Sequence, residues 1–393
     1  MSGLTVNEIK KLIRDRFFVA LLLFAIIFAG FKIYGWRSGF ASEESKEFYE
    51  NRPSDYTRID YDELYAENEK LYEMKFSGIP VGLKTYVYSH AIDDLLYVKY
   101  YEDDMRKYIL ELKEKAATEK YISGEKRSAK EKNLEKQLSY YNRKRNLAFI
   151  DATDTQAFLD HFHRGDLNIV ISFSMLSLVV LAVVTVFQKD YVTGASEMVA
   201  VTKRGGKSSQ TGKLFCIFGF IAVLCLTEFL LELLIARVFF NVRVFSAAIQ
   251  SLKSFKYNPF SMSLIGYIFC CCLFRFAVLL FAAGICIFSC MGSRGIIRPL
   301  FLGILINIVF PLLYVDRYLN LSQSGYDVVR KVSVLRSFVP HALLVPDYYF
   351  TSFDSMDIAG LNMFRFSGCI FVSLTVFAAA CIIMVLFRNR SRR

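Results

Sequence analysis

From Leu214 to Val238 the chain reads LFCIFGFIAVLCLTEFLLELLIARV, charged only at Glu228, Glu232 and Arg237. A helix rises about 1.5 Å per residue, so a run of this length covers the ~30 Å hydrocarbon core of a bilayer. Within hydrocarbon every backbone amide must find its partner inside the protein, which restricts such a run to helix. Comparable apolar runs lie at 17–35, 167–188, 264–291, 299–315 and 364–387. They predict an all-α integral membrane protein with six transmembrane helices, multi-pass in the plasma membrane. Composition agrees: 54% of residues are hydrophobic and 37 are Phe, above the ~45–50% apolar share of a soluble domain.

The net charge of +11 invites a nucleic-acid reading. The basic excess, however, sits beside the apolar runs: Lys10, Lys11, Arg14 and Arg16, the passage 189–213, Arg294 and Arg298, and the 388–393 tail. That placement is topology and attraction to anionic membrane lipids, with no nucleic acid as partner. Counting Lys and Arg puts both termini in the cytoplasm. All nine cysteines fall in apolar runs, and the polar stretch from Arg37 to Gly165 has none. An exported domain there must be held by helix packing and not by disulfides. Cys286 and Cys290 lie one turn apart with no His or carboxylate to complete a metal set, which favours apolar packing.

In chain order, 1–16 is expected to be an interfacial amphipathic helix, with Leu4, Ile9, Leu12 and Ile13 on one face and Lys10, Lys11 and Arg14 on the other. Between the first two spans, 36–166 is expected to be a helical extracellular domain. Ile92, Leu95, Leu96, Met105, Ile109 and Leu112 recur at three- and four-residue steps, Ser123-Gly124 breaks the pattern, and Leu134, Leu138 and Tyr141 resume it. Neither helix can bury its stripe alone, so an antiparallel hairpin follows. The segments 239–263 and 316–363 are outer, the latter expected as amphipathic or re-entrant helices, and 292–298 is a cytosolic turn.

The passage 189–213, KDYVTGASEMVAVTKRGGKSSQTGK, carries five Lys/Arg against two acids. Gly206-Lys207-Ser208 resembles the end of a phosphate-binding G-x-x-x-x-G-K-[ST] loop, but the required first glycine is Val201. No nucleotide binds by this route, and no cofactor is implied. A cytosolic helix over 190–203 and a turn at 204–206 are expected, with the cationic face of Lys203, Arg204 and Lys207 meeting either an acidic protein groove or anionic lipid.

Three charges lie deep inside apolar runs, away from the ends where Lys32, Arg237 and Arg365 sit, and there each costs at least ~2.5–3.5 kcal/mol: Glu228, Glu232 and Arg275. The two acids share a helix face at i, i+4, and Arg275 lies at a similar depth on the next run. Pairing of Arg275 with Glu228 or Glu232 is expected, either to fix helix packing or to line a substrate path, the alternative being that Glu232 snorkels outward. Asp160-His161-Phe162-His163 with Asp151, Asp154 and Asp166 offers the residue types of a metal site. An H-x-H directs both rings one way only on an extended backbone, and this segment reads as helix, so no metal is expected. No catalytic arrangement stands out, and the chain is not expected to be an enzyme.

Phe187, Asp190, Gly194, Thr202, Arg204, Gly205 and Lys213 stand in an order that resembles the cytosolic passage of permease subunits in type-2 ABC (ATP-binding cassette) exporters. Six spans, an N-terminal interfacial helix and re-entrant segments before the last span are similar to that family too, over about two-thirds of the chain. The outer domain is larger than usual and resembles enlarged versions in some Gram-positive permeases. The resemblance implies an ABC ATPase subunit docking on a coupling helix, with Asp190, Gly194, Glu197, Thr202, Lys203, Arg204, Gly205 and Lys207 as its contact residues. It also implies a second permease chain, as homodimer or heterodimer. The competing reading is a membrane sensor or assembly partner that binds a ligand through its outer domain without transport.

Overall fold

The computed structural model describes residues 83–123, 129–143, 152–164, 166–194, 207–240, 244–291, 295–309, 348–351, 355–358 and 361–390, with scattered positions in 8–77 and at 147, 242 and 293. The expected first span (17–35), most of 36–82, the passage 195–206 and 310–347 lie largely or wholly outside the described residues. The described elements are α1 (Leu83–Ser123), α2 (Ala129–Tyr141), α3 (Ala152–Leu159), α4 (Asp166–Val192), α5 (Lys207–Val238), α6 (Leu264–Cys290), α7 (Ile297–Ile304), α8 (Tyr348–Thr351), β1 (Ser355–Ile358), β2 (Leu361–Phe364) and α9 (Arg365–Arg390). The two four-residue strands pair antiparallel, with Ser355 opposite Phe364. In this part of 316–363, expected as amphipathic helices, the chain instead forms one helical turn and a hairpin. Strands this short are set by pairing with each other rather than by a periodicity of their own.

Four helices, α4, α5, α6 and α9, are long and apolar enough to cross a membrane, and a shorter apolar stretch covers Ile297–Asn307. α6 lies at the centre, packed against α4, α5, α7 and α9. The order of its ring and sulfur contacts shows direction. Phe229 faces Phe269, Cys225 O accepts from Cys272 Sγ, and Phe218 faces Phe276, so α5 runs antiparallel to α6. Gln188 at the end of α4 donates to Cys290 O at the end of α6 (3.1 Å), which makes those two parallel. Phe260 and Phe364, 4.7 Å apart, start α6 and α9 at the same end.

Helix ends follow local chemistry. Ser263 caps α6 by accepting from Gly266 N–H at 3.2 Å. α4 stops where Gly194 takes φ +71°, a left-handed conformation that glycine adopts without Cβ strain. In hydrocarbon there is no water-exclusion drive between helices, so close packing and polar contacts decide their association. Gly284 meets the backbone of Phe377 on α9, and Gly303 meets Val180 on α4 and Cys286 on α6.

α1 and α2 pack through Tyr101, Met105, Leu112 and Tyr141, with Tyr97, Tyr108, Ile109, Leu134 and Leu138 around them. The pair is seated on the α5–α6 connection. Tyr97 Oη donates to Gln250 O (2.9 Å), Tyr101 Oη to Lys256 O (3.2 Å) and Tyr141 Oη to Tyr257 O (2.5 Å). Lys256 Nζ lies 2.6 Å from Asp104 Oδ2. The hairpin therefore rests on the same end of the bundle as the starts of α6 and α9.

Two measurements test this packing. A Cβ at Gly284 would lie 3.1 Å from Phe377 Cα, whereas one at Gly219 would meet nothing within 4 Å. Gly284→Ala is expected to destabilise by about 1–3 kcal/mol and Gly219→Ala not to, as read by melting of the purified chain; equal melting would contradict the α6–α9 contact. Lys256, chiefly through its hydrogen bond, holds the Asp104 carboxyl below its ordinary value. The folded value being the lower, this stabilisation is present above about pH 4 and lost as pH falls through the folded value. The pair is part-exposed, so its worth is under about 1 kcal/mol. Asp104→Asn is expected to remove that acid sensitivity from amide-exchange protection of α1, and an unchanged pH profile would count against the pair.

Candidate functional site

Two polar clusters stand out in an otherwise apolar bundle. The first closes the end away from the hairpin. Asp190, in the last turn of α4, accepts from Lys11 at 2.7 Å and lies 2.6 Å from Lys213 Nζ on α5. Lys11 also reaches Glu8 at 2.9 Å, and Lys189 lies 3.9 Å from Asp15. Burial opposes the charge on Lys11, but hydrogen bonds to Asp190 and Glu8 outweigh it and hold the ammonium above its ordinary value. Lys213 is 3% exposed, with its ammonium 5.8 Å from the Phe187 ring. A buried cation of this kind persists only with its anion in place.

Phe187, Asp190 and Lys213, three of the residues that carry the family resemblance, thus meet in space. Their contact locks the end of α4 to the start of α5. Two expectations are corrected here. Asp190 does not open a separate cytosolic helix; α4 continues unbroken through it, because no helix breaker precedes Gly194. The helix of the expected 214–238 span begins earlier than that run, at Lys207, so α5 carries a polar opening before its apolar stretch. Lys11, expected on the polar face of an interfacial helix, is drawn inward by Asp190, while Ile9 and Leu12 pack onto the main core. Glu197, Thr202, Lys203, Arg204 and Gly205 lie outside the described residues, and Lys207 is described in backbone alone.

The second cluster lies deep among the long helices. Arg275 is 1% exposed and about 11 residues into α6, roughly 17 Å along the helix. Its Nη1 donates to Glu228 Oε1 and, at 3.3 Å, to Glu232 Oε2, both on α5. Its Nη2 donates to Asn168 Oδ1 on α4 and to Phe162 O, each at 3.0 Å. The expected pairing of Arg275 therefore involves both acids at once, with two neutral acceptors added. Glu232 Oε1 faces His163 Nε2 at 2.5 Å, and both side chains are fully buried.

Phe162 and His163 belong to a π-helical turn, Asp160–Arg164, that continues α3. Such a turn rotates successive side chains differently from an α-helix; it sends His163 inward, with Asn168 following at the start of α4. His163 belongs to the H-x-H pair of the sequence; among the described residues no three metal-binding side chains converge. Its role in this cluster was missed. The available signal was charge: two buried acids on one face exceed a single Arg275, which calls for a second donor nearby.

Arg275→Met leaves two buried carboxylates without their cation and is expected to cost about 3–5 kcal/mol. The triple change Arg275→Met/Glu228→Gln/Glu232→Gln is expected to recover most of that loss, read as the fraction of monodisperse protein surviving heating in detergent. Equal losses in the single and triple variants would mean that the contacts are not held by charge.

No protein-family model, curated protein or solved structure matches the chain.

Proposed function

We propose that this chain is the permease subunit of an ATP-driven exporter of the type-2 ABC kind. In this reading it crosses the plasma membrane six times with both termini in the cytoplasm, and the α1–α2 hairpin lies outside. A separate ATPase subunit hydrolyses ATP, and a second permease chain, identical or not, completes the pathway. The observation that carries the reading is the clamp of Lys11, Asp190 and Lys213. The two helices flanking the 195–206 passage are locked together at its base, so a partner pulling on the passage moves α4 and α5 as one body. Through Arg275 the same motion reaches α6 at the depth where a pathway would run.

Lys203, Arg204 and Lys207 supply the cationic contact for an acidic groove on the ATPase. The apolar and aromatic walls favour amphipathic cargo such as a peptide, an antibiotic or a lipid. A second reading, a sensor that binds a ligand outside and signals inward without transport, draws support from the hairpin seated by three tyrosine hydroxyls on the α5–α6 connection.

Affinity purification of the full chain from native membranes separates the two. An ATPase is expected to copurify, and Lys203→Glu/Arg204→Glu, which spares the clamp, is expected to abolish the association and lower membrane ATP hydrolysis at least tenfold. Absence of any copurifying ATPase, together with hydrolysis indifferent to the charge reversal, would overturn the exporter reading in favour of the sensor.

A further inference from the structure

The α1–α2 hairpin is attached to the bundle in two chemically different ways. One is the polar seat, in which Tyr97, Tyr101 and Tyr141 donate to carbonyls of the α5–α6 connection and Asp104 meets Lys256. The other is aromatic and belongs to α2. Tyr140 stands edge to face with Phe364, ring centroids 4.9 Å apart, and the Lys136 ammonium lies 4.9 Å from the centre of the same Phe364 ring. Both arrangements are attractive, because a ring is negative on its face and positive at its edge. The Arg143 guanidinium, 4.5 Å over the Tyr140 ring, holds that ring in turn.

Phe364 is the last residue of β2, and α9 begins at Arg365 with no residue between them. A pull on Phe364 is therefore a pull on α9. The Phe364 ring also lies 4.7 Å from Phe260, which meets Phe350 of α8 at 6.3 Å and Phe366 of α9 at 5.8 Å. Phe350 is fully buried, 5.2 Å from Phe366 and 5.5 Å from Tyr267 of α6. Its neighbour Tyr349 reaches Phe274, 4.8 Å away and about 15 Å along α6 from Leu264. The two rings of α8 thus form a wedge between the starts of α6 and α9, continuous with Phe364 and through it with α2. Deeper in the same seam, about 30 Å along α6, Gly284 meets the backbone of Phe377 directly.

We propose that the hairpin is a strap across the α6–α9 seam, seated on the α5–α6 connection and gripping Phe364 through Lys136 and Tyr140. While gripped, Phe364 keeps the α8 wedge closed. When α2 lifts away, the wedge and the first turn of α9 are released together, and the seam opens as far as the Gly284 contact. Ring contacts tolerate small slides that hydrogen bonds do not, which makes Phe364 the moving joint and the seat the fixed one. The strap holds for either reading of the function.

Amide hydrogen exchange of the full chain in lipid nanodiscs tests it. Lys136→Ala/Tyr140→Ala is expected to speed exchange at 348–351 and 361–366 roughly tenfold or more, and to leave 97–112 and 373–384 unchanged. Tyr97→Phe/Asp104→Asn loosens the seat and alters no ring of the wedge. It is expected to speed the same two segments roughly threefold or more. Combined with the first pair it should add nothing, because a seat without its strap no longer acts on the wedge. Lys136→Arg/Tyr140→Phe keeps the cation and the ring, and is expected to exchange as the unaltered chain does. A wedge indifferent to the seat variant, or two accelerations that simply multiply in the combined variant, would show wedge and hairpin to be independent and overturn the strap. So would faster exchange spreading through 97–112 in the alanine pair, or protection lost in Lys136→Arg/Tyr140→Phe.

Discussion

A guanidinium placed in the middle of an apolar bundle must be answered from every side, and Arg275 is answered from α4, α5 and the turn after α3. Its two terminal nitrogens reach Glu228, Glu232, Asn168 and the Phe162 carbonyl. Interhelical hydrogen bonds in membranes are individually modest, about 0.6–2 kcal/mol. Four on one group, with a charge whose abandonment costs more than any of them, set the rotation of each helix about its own axis. Apolar side chains alone do not select among rotations when lipid tails are as apolar as Leu. The register of α5 against α6, from Phe229–Phe269 to Phe218–Phe276, follows from this one anchored crossing.

The opposite end of the bundle is held by the same principle with the sign reversed. There a carboxylate, Asp190, sits between two ammonium groups, Lys11 and Lys213, and ties an N-terminal segment, α4 and α5 together. Helix α4 thus carries a polar lock near each end, Asn168 toward Arg275 and Asp190 toward the lysines, with Leu176, Val179, Val183 and Val186 fully buried between them. Helix α4 is therefore held by a neutral amide near its start and by a carboxylate near its end.

Much of this was legible in the residues alone, for a physical reason. The desolvation cost of Glu228, Glu232 and Arg275 belongs to each group in its own apolar run, so their need for one another can be read without coordinates. The lengths of α4, α5, α6 and α9 are equally local, since backbone amides in hydrocarbon have no alternative to helix. The stripe from Ile92 to Leu112 and the break near Ser123 likewise announced two helices that must pack together.

What remained hidden depended on how the elements turn toward one another. Nothing local to His163 says that a π-helical turn will point it at Glu232, because that geometry is decided by the helices it is wedged among. Nothing local to Lys11 or Asp190 says that they will meet across 179 positions of sequence. Likewise the short β1–β2 hairpin replaces expected helix, its strands being set by pairing with each other. The sequence by itself determined which segments are long apolar helices and which charges had to be neutralised, because burial cost is a property of each group in its own run. Only the tertiary structure decided which partners neutralise them, because that choice rests on helix rotation and crossing, which no single run encodes.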